Sequence, residues 1–217
     1  MKTDSQLQHD VVSELRWEPS VTETHVGVSV KAGIVTLSGH VPTYAEKYGA
    51  EKAAKRVLGV KAVADELDVK LAASTKRSDE DVAAACVAAL HNHASVPDDK
   101  IKIVVGNGWV TLEGMVDWQY QKNAAELSVG NLFGVRGLTN RITVAPHATA
   151  VDVKDKIEAA FKRSAEIDAK RIRVETHDSK VILQGEVRSW AEKYEAQSAA
   201  WAAPGVTAVE NDLVVLV

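Results

Sequence analysis

The 217-residue chain contains a single cysteine, Cys86, five prolines and two phenylalanines. One cysteine excludes an intrachain disulfide, so packing alone must hold the fold, and the redox compartment stays open. No segment reaches the roughly 18 consecutive apolar residues that a membrane-spanning helix requires. The opening MKTDSQLQHDVV has no apolar core of a secretory signal and enters a helical pattern almost at once. As written, the chain is expected to be cytoplasmic, or periplasmic if a signal sequence was removed. Positive charge is not in excess either: basic and acidic residues number 9 and 10 in residues 1–70, 7 and 8 in 71–145, and 10 and 12 in 146–217. Nucleic acid binding rests mostly on neutralising phosphates and is excluded as an expectation. G-x-S-x-G, H-E-x-x-H and a P-loop are all missing, and with them the common signatures of hydrolases, zinc proteases and nucleotide binders.

What is present is a repeat. TLSG, TLEG and ILQG place Gly39, Gly114 and Gly185; twenty residues later come Gly-Val pairs at Gly59, Gly134 and Gly205; six further on stand Asp65, Asn140 and Asn211. No gap is needed between these anchors. Upstream of each first glycine, apolar residues recur every four positions: Leu7, Val11 and Leu15; Val82, Cys86 and Leu90; Val153, Ile157 and Phe161. That spacing is one face of a helix. Alternation then replaces it, with Val26, Val28, Val30, Val35 and Leu37 in the first copy, predicting two half-buried strands. Asn107-Gly108 between two such strands is the strongest hairpin signal.

A second helix is expected next. Thr43 with Glu46 and Ser189 with Glu192 read as reciprocal capping boxes, whereas the second copy has Asp117 without an acid or amide three residues on. The following glycine is expected to end this helix in a left-handed C′ conformation. A third strand closes each copy, with Leu67 and Val69, Ile142 and Val144, or Leu213 and Val215 facing inward.

The expected fold is therefore α+β: three tandem αββαβ modules at residues 1–70, 78–145 and 149–217, each a three-stranded mixed sheet with two helices on one face. The joining segments, 71–77 and Pro-His-Ala at 146–148, are short and favour a compact arrangement. Outward strand positions are polar in the first copy apart from Ile34. They include Val104 and Trp109 in the second and Ile182, Val214 and Leu216 in the third. Burial of these last faces against each other or against another chain is expected, which leaves self-association open.

The string GEVRSWAEKYEAQSAAWAAPGVTAVENDLVV, residues 185–215, resembles the BON domain, named for bacterial osmotically induced and nodulation proteins. A glycine ending the second strand, a capped Ala-rich helix, Gly-Val and Val-x-Asn-x-Leu carry the resemblance. Copy 1 matches with Gly39, Gly59, Val60, Val63 and Leu67 but has Asp65 for the usual Asn; copy 2 has Gly114, Gly134, Val135, Leu138, Asn140 and Ile142. The resemblance implies no enzymatic activity, no cofactor, and binding of phospholipid or envelope components under osmotic or other stress. The residues themselves leave a second expectation open: an interaction module that binds protein, a small ligand or a cation in the cytosol.

Candidate chemistry is sparse. Cys86 lies on a buried helical stripe, where a free cysteine is a small core hydrophobe. His91 and His93 sit two apart at a helix end; a metal would need further ligands, and placement of cations at a helix C-terminus accounts for them equally. Aromatics at the start of the second helix form the candidate binding rim: Tyr44 and Trp190 at one repeat position, Tyr48 and Tyr194 four residues on, and Trp118 and Tyr120 in the second copy. Lys170, Arg171 and Arg173 make the third copy locally basic and are the expected helpers for an anionic target. The six repeat glycines are expected to be structural.

Overall fold

The computed structural model describes residues 2–145 and 153–216. The Pro-His-Ala segment at 146–148 and the start of the third module lie outside the described residues. Module 1 runs α1 (Asp4–Trp17), β1 (Val26–Lys31), β2 (Ile34–Val41), α2 (Tyr44–Arg56) and β3 (Ala62–Val69). Module 2 repeats this as α3 (Asp79–His91), β4 (Ile101–Gly106), β5 (Trp109–Val116), α4 (Gln119–Gly130) and β6 (Gly137–Val144). Module 3 follows with α5 (Val153–Arg163), β7 (Ile172–His177), β8 (Lys180–Val187), α6 (Trp190–Trp201) and β9 (Ala208–Val215). Each module has its own sheet, with the second strand central; the first two strands pair antiparallel, and the third joins parallel to the second in modules 1 and 3. These are mixed sheets, because a hairpin makes the antiparallel pair and a helical crossover makes the parallel one.

The helical stripes bury as their spacing requires. Leu7, Val11 and Leu15 meet Val35, Leu37, Ala50, Ala54 and Leu67 in one cluster, with equivalent clusters around Cys86 and around Ile157. The described residues fall into two compact units, modules 1 and 2 forming one and module 3 anchoring the other.

The hairpin turns carry the expected conformation. Ala32 and Gly33 have φ of 52° and 81°, Asn107 and Gly108 of 54° and 75°, both central residues being left-handed as a type I′ turn demands. The amides of these turns are taken by an aspartate of the first helix: Asp4 accepts from Ala32 and Gly33, and Asp79 from Asn107 and Gly108. Gly39, Gly114 and Gly185 lie within the central strands at φ of 112°, 147° and 124°. There the carbonyls of His25, Lys100 and Arg171 come so close that a Cβ would fall on their oxygens.

Two expectations need correction. First, α2 and α6 are capped by Thr43 and Ser189, which accept from the amides of Glu46 and Glu192, but the boxes are not reciprocal. The glutamates turn away to the loop before the first strand, as described below. In module 2 the helix starts at Gln119, so Gln121, an amide, stands where Glu46 and Glu192 stand.

Second, the glycines 59, 134 and 205 are not helix caps. α2 ends on Val57 in extended conformation and α6 on Ala202 in the right-handed helical region. The glycines follow two or three residues later, in turns closed by Val60 N to Val57 O, Val135 N to Leu132 O and Val206 N to Ala203 O. With φ of 105°, 92° and 89° at the third position, and Pro204 at the second position of the last, these are type II turns. On the chain itself Val104, Trp109, Val214 and Leu216 are exposed. Trp109 lies over its own sheet: its indole fills the place of a Cβ at Gly137, and its Nε1 donates to Thr139 Oγ1 at 2.9 Å.

Candidate functional site

Helix 2 of each module positions the residues of interest. Tyr44 opens α2 and does not face solvent freely. It is half-buried and packs against the core of module 2. Its partner surface is the last turns of α4; Tyr44, Ala45 and Tyr48 face Glu126, Leu127, Gly130 and Asn131 across a shallow groove. Gly130 makes this fit, since a Cβ there would sit 3.3 Å from the tyrosine ring. Lys55 and Trp201 occupy the equivalent positions in modules 1 and 3. Burial first, and then the neighbouring Glu126 and Glu51 carboxylates, push the Tyr44 phenol up to about 12. A second pair across the same contact, Arg136 and Asp68 at 4.0 Å, is exposed and adds little.

The other predicted residues divide by exposure. Trp118 and Trp190 are half-buried, while Tyr48, Tyr120 and Tyr194 are exposed. Trp190 and Tyr194 form a tilted pair with centroids 5.9 Å apart, and the Lys193 ammonium sits 5.4 Å from the indole centroid. That ammonium also donates to the carbonyl of Leu213 at 2.6 Å. Desolvation holds the Lys193 pKa below its ordinary value. Lys170, Arg171 and Arg173 are exposed, but Arg171 pairs with Asp168 at 3.4 Å and Arg173 with Glu175 at 2.9 Å. The basic patch is thus partly neutralised by its own neighbours.

Glu46 and Glu192 are buried charges that sequence reasoning read only as caps. Glu46 accepts from the amide of Thr22, and Glu192 from the amides of Asp168 and Arg188 at 2.8 Å each. Burial raises the Glu192 pKa, but the two amides and the Arg188 guanidinium outweigh it and hold the carboxyl below its usual range. These carboxylates therefore stitch helix 2 to the loop after helix 1. The recurring Asn does the same for helix 2 and the last strand. Asn140 accepts from Ile142 N and donates to Lys122 O and Glu126; Asn211 accepts from Leu213 N and donates to Lys193 O and Gln197. Asp65, which has no N–H to give, accepts from Leu67 N and faces the Lys47 ammonium at 3.4 Å.

Cys86 is fully buried, and desolvation pushes its thiol up to about 11, the protonated and unreactive form at neutral pH. His91 Nδ1 lies 2.9 Å from Asp98, whose carboxyl this contact lowers, and His93 Nδ1 accepts from Ser95 N. Among the described residues no three His, Cys, Asp or Glu side chains are grouped to hold a metal. Among the exposed apolar residues that the sequence reading missed, Leu58 and Phe133 precede the glycines of their type II turns at equivalent positions and are 58% and 60% exposed.

Tandem α+β modules that each tie the last strand to helix 2 through the residue at 65, 140 or 211 and present apolar side chains from helix 2 or the turn after it define a repeat scaffold. The chain belongs to the BON domain family, whose model matches residues 3–70, 78–146 and 149–216. Osmotically-inducible protein Y of Escherichia coli K12 is 33% identical over 141 residues, which is 63% of this chain and 70% of that protein. Two solved structures of CdsD, a structural protein of the type III secretion system of Chlamydia trachomatis, align with it. One is 18% identical, with 96% and 91% of the two chains covered and a TM-score of 0.27; the other, its C-terminal domain, is 17% identical with both chains fully covered and a TM-score of 0.28. Similarity that low carries no structural argument.

Proposed function

We propose that this chain is a non-catalytic binding protein of the osmotic or general stress response whose target is phospholipid or another cell-envelope component. Family membership and the similarity to an osmotically inducible protein support the stress role. The observation that carries the binding surface is Leu58 and Phe133. The second position of a type II turn accepts most residues, so nothing in the turn calls for a large apolar side chain. Both are nevertheless apolar and in water, as is Tyr120, 58% exposed in the first turn of α4. Burying such a side chain yields about 1.5–3 kcal/mol, and several on one chain gain avidity on a multivalent surface such as a membrane.

The basic residues of module 3 play the lesser part, because Arg171 and Arg173 already have acidic partners. Trp118 and Trp190 are half-buried and offer less surface to a target. Co-sedimentation with vesicles of anionic and neutral phospholipid tests the reading. Replacing Leu58, Tyr120 and Phe133 by Ser weakens retention strongly, replacing Arg171 and Arg173 by Gln weakens it slightly, and moderate salt leaves the wild type bound. Equal retention of the wild type and the triple Ser variant overturns the assignment of this surface.

A further inference from the structure

Asn107-Gly108 is the one Asn-Gly pair in the chain, and Asn107 is exposed. Asparagine is a chemically labile residue, and a following glycine puts no side chain in the way of the reaction. The Gly108 nitrogen, its proton lost to hydroxide, attacks Asn107 Cγ. The side-chain nitrogen takes up a proton and leaves as ammonia, and a five-membered imide remains. Water then adds to either imide carbonyl and opens the ring to aspartate or isoaspartate. The net change consumes one amide and one water and yields a carboxylate and ammonia.

The fold opposes the first step. Asp79, in the first turn of α3, accepts from Gly108 N and from Asn107 N, each at 2.8 Å. An anion bonded to an N–H makes that proton harder to lose, and a charge-assisted bond holds the nitrogen away from the side chain it would attack. On its other side Gly108 O accepts from Arg136 N at 2.8 Å, so the glycine is pinned at both ends. Gly108 is itself buried, with Gly134 O 2.7 Å from where a Cβ would stand.

The other modules show what the product would meet. Module 1 keeps the aspartate, as Asp4, and has Ala32 in the place of Asn107. Module 3 has Asp178 in that place, also left-handed at φ of 52°, but Ala150 at the register position of Asp79. No module combines a carboxylate in the turn with one at the start of its first helix. The reaction would create that combination in module 2 and set two like charges across one contact.

We propose that Asn107 is a deamidation site held shut by Asp79: local opening of the tie between α3 and the β4–β5 turn admits the reaction, and the carboxylate it leaves opposes re-forming the tie. The change is one-way, so the site records how often α3 has left its hairpin.

Peptide mass spectrometry on the full chain, incubated in mildly alkaline buffer, tests it. The folded wild type keeps Asn107 at least ten times longer than the same chain unfolded in urea. Asp79→Ala, folded by circular dichroism, gains the one-mass-unit signature at Asn107 at least tenfold faster than the wild type. Asp79→Asn, which keeps an oxygen acceptor without the charge, falls between the two. Asn107→Ala, the residue that module 1 has, folds and shows no gain in that peptide. Ile142→Ala on β6 separates the tie from overall stability, because it removes a buried side chain of module 2 far along the chain from the turn. It lowers the urea midpoint and leaves the Asn107 rate near that of the wild type. Loss of Asn107 as fast in the folded wild type as in urea, an Asp79→Ala rate no faster than wild type, or Ile142→Ala matching Asp79→Ala overturns the proposal.

Discussion

Glu192 is 3% exposed and carries a charge, which is tolerable only because two backbone amides and a guanidinium meet it. Removing it leaves the amides of Asp168 and Arg188 without their acceptor. Glu192→Ala is therefore expected to cost module 3 about 2–3 kcal/mol in urea unfolding. Its folded pKa is depressed, so the stability it supplies is present at neutral pH, above the unfolded value, and is lost as pH falls through the folded one. In the Ala variant this acid-dependent component disappears. Gly205 rests on conformation instead of contacts. At φ of 89° a β-branched residue is strained, and Gly205→Val is expected to destabilise module 3 by about 1 kcal/mol or more in thermal melts. Because the glycine serves the turn and not the helix end, α6 keeps its helical signal in the folded variant.

At the scale of elements, the asparagine between helix 2 and the last strand offers the sharpest test. Asn140 donates to Glu126 at 2.9 Å; Asn140→Asp turns that donor into a second carboxylate. A loss of about 2 kcal/mol at neutral pH is expected, partly recovered as acid protonates the pair. Module 1 already has Asp65 there, balanced by Lys47, so Asp65→Asn changes little. Helices, strands and module order were legible because their signals lie within a few residues: the i, i+4 stripe of Leu7, Val11 and Leu15, the alternation of Val26 to Val30, the Asn-Gly turn. The roles of Glu46 and Glu192 were not legible. Their partners lie 24 residues earlier, and a local capping pattern explained the same two side chains. The glycines 59, 134 and 205 misled for a related reason: a cap and a type II turn both call for positive φ, and only the backbone separates them. Of the candidate site, the sequence located helix 2 but not exposure, which separates Tyr44 from Tyr120 and makes Phe133 visible.

For the molecule as a whole, Gly130 decides whether modules 1 and 2 act together. Gly130→Trp, which installs the residue that module 3 has at this position, is expected to expel Tyr44 and separate the two modules. Tyrosine titration by ultraviolet absorbance reports it. In the wild type the Tyr44 phenol ionises late, near 12, and in the variant that late phase is gone. The sign of the linked stability follows. The neutral phenol is favoured in the folded state, so its contribution is intact below the ordinary phenol range near 10 and is lost as pH rises toward 12. Tyr44→Phe removes this alkaline loss while keeping most of the packing.

The parallel pairing of the last strand also sets the order in which a chain made from its N-terminus can become native. When helix 2 of a module has left the ribosome, its first helix and hairpin are complete, but the central strand still has one open edge. Only the arrival of Val69, and of Val215 in module 3, closes the ladder and brings Asp65 or Asn211 to its helix partner. Each of these sheets thus completes on its own final residues, whereas the Tyr44 contact of module 1 waits for the last turns of α4. A repeat removed after module 1 would leave the sheet of module 1 complete and Tyr44 uncovered.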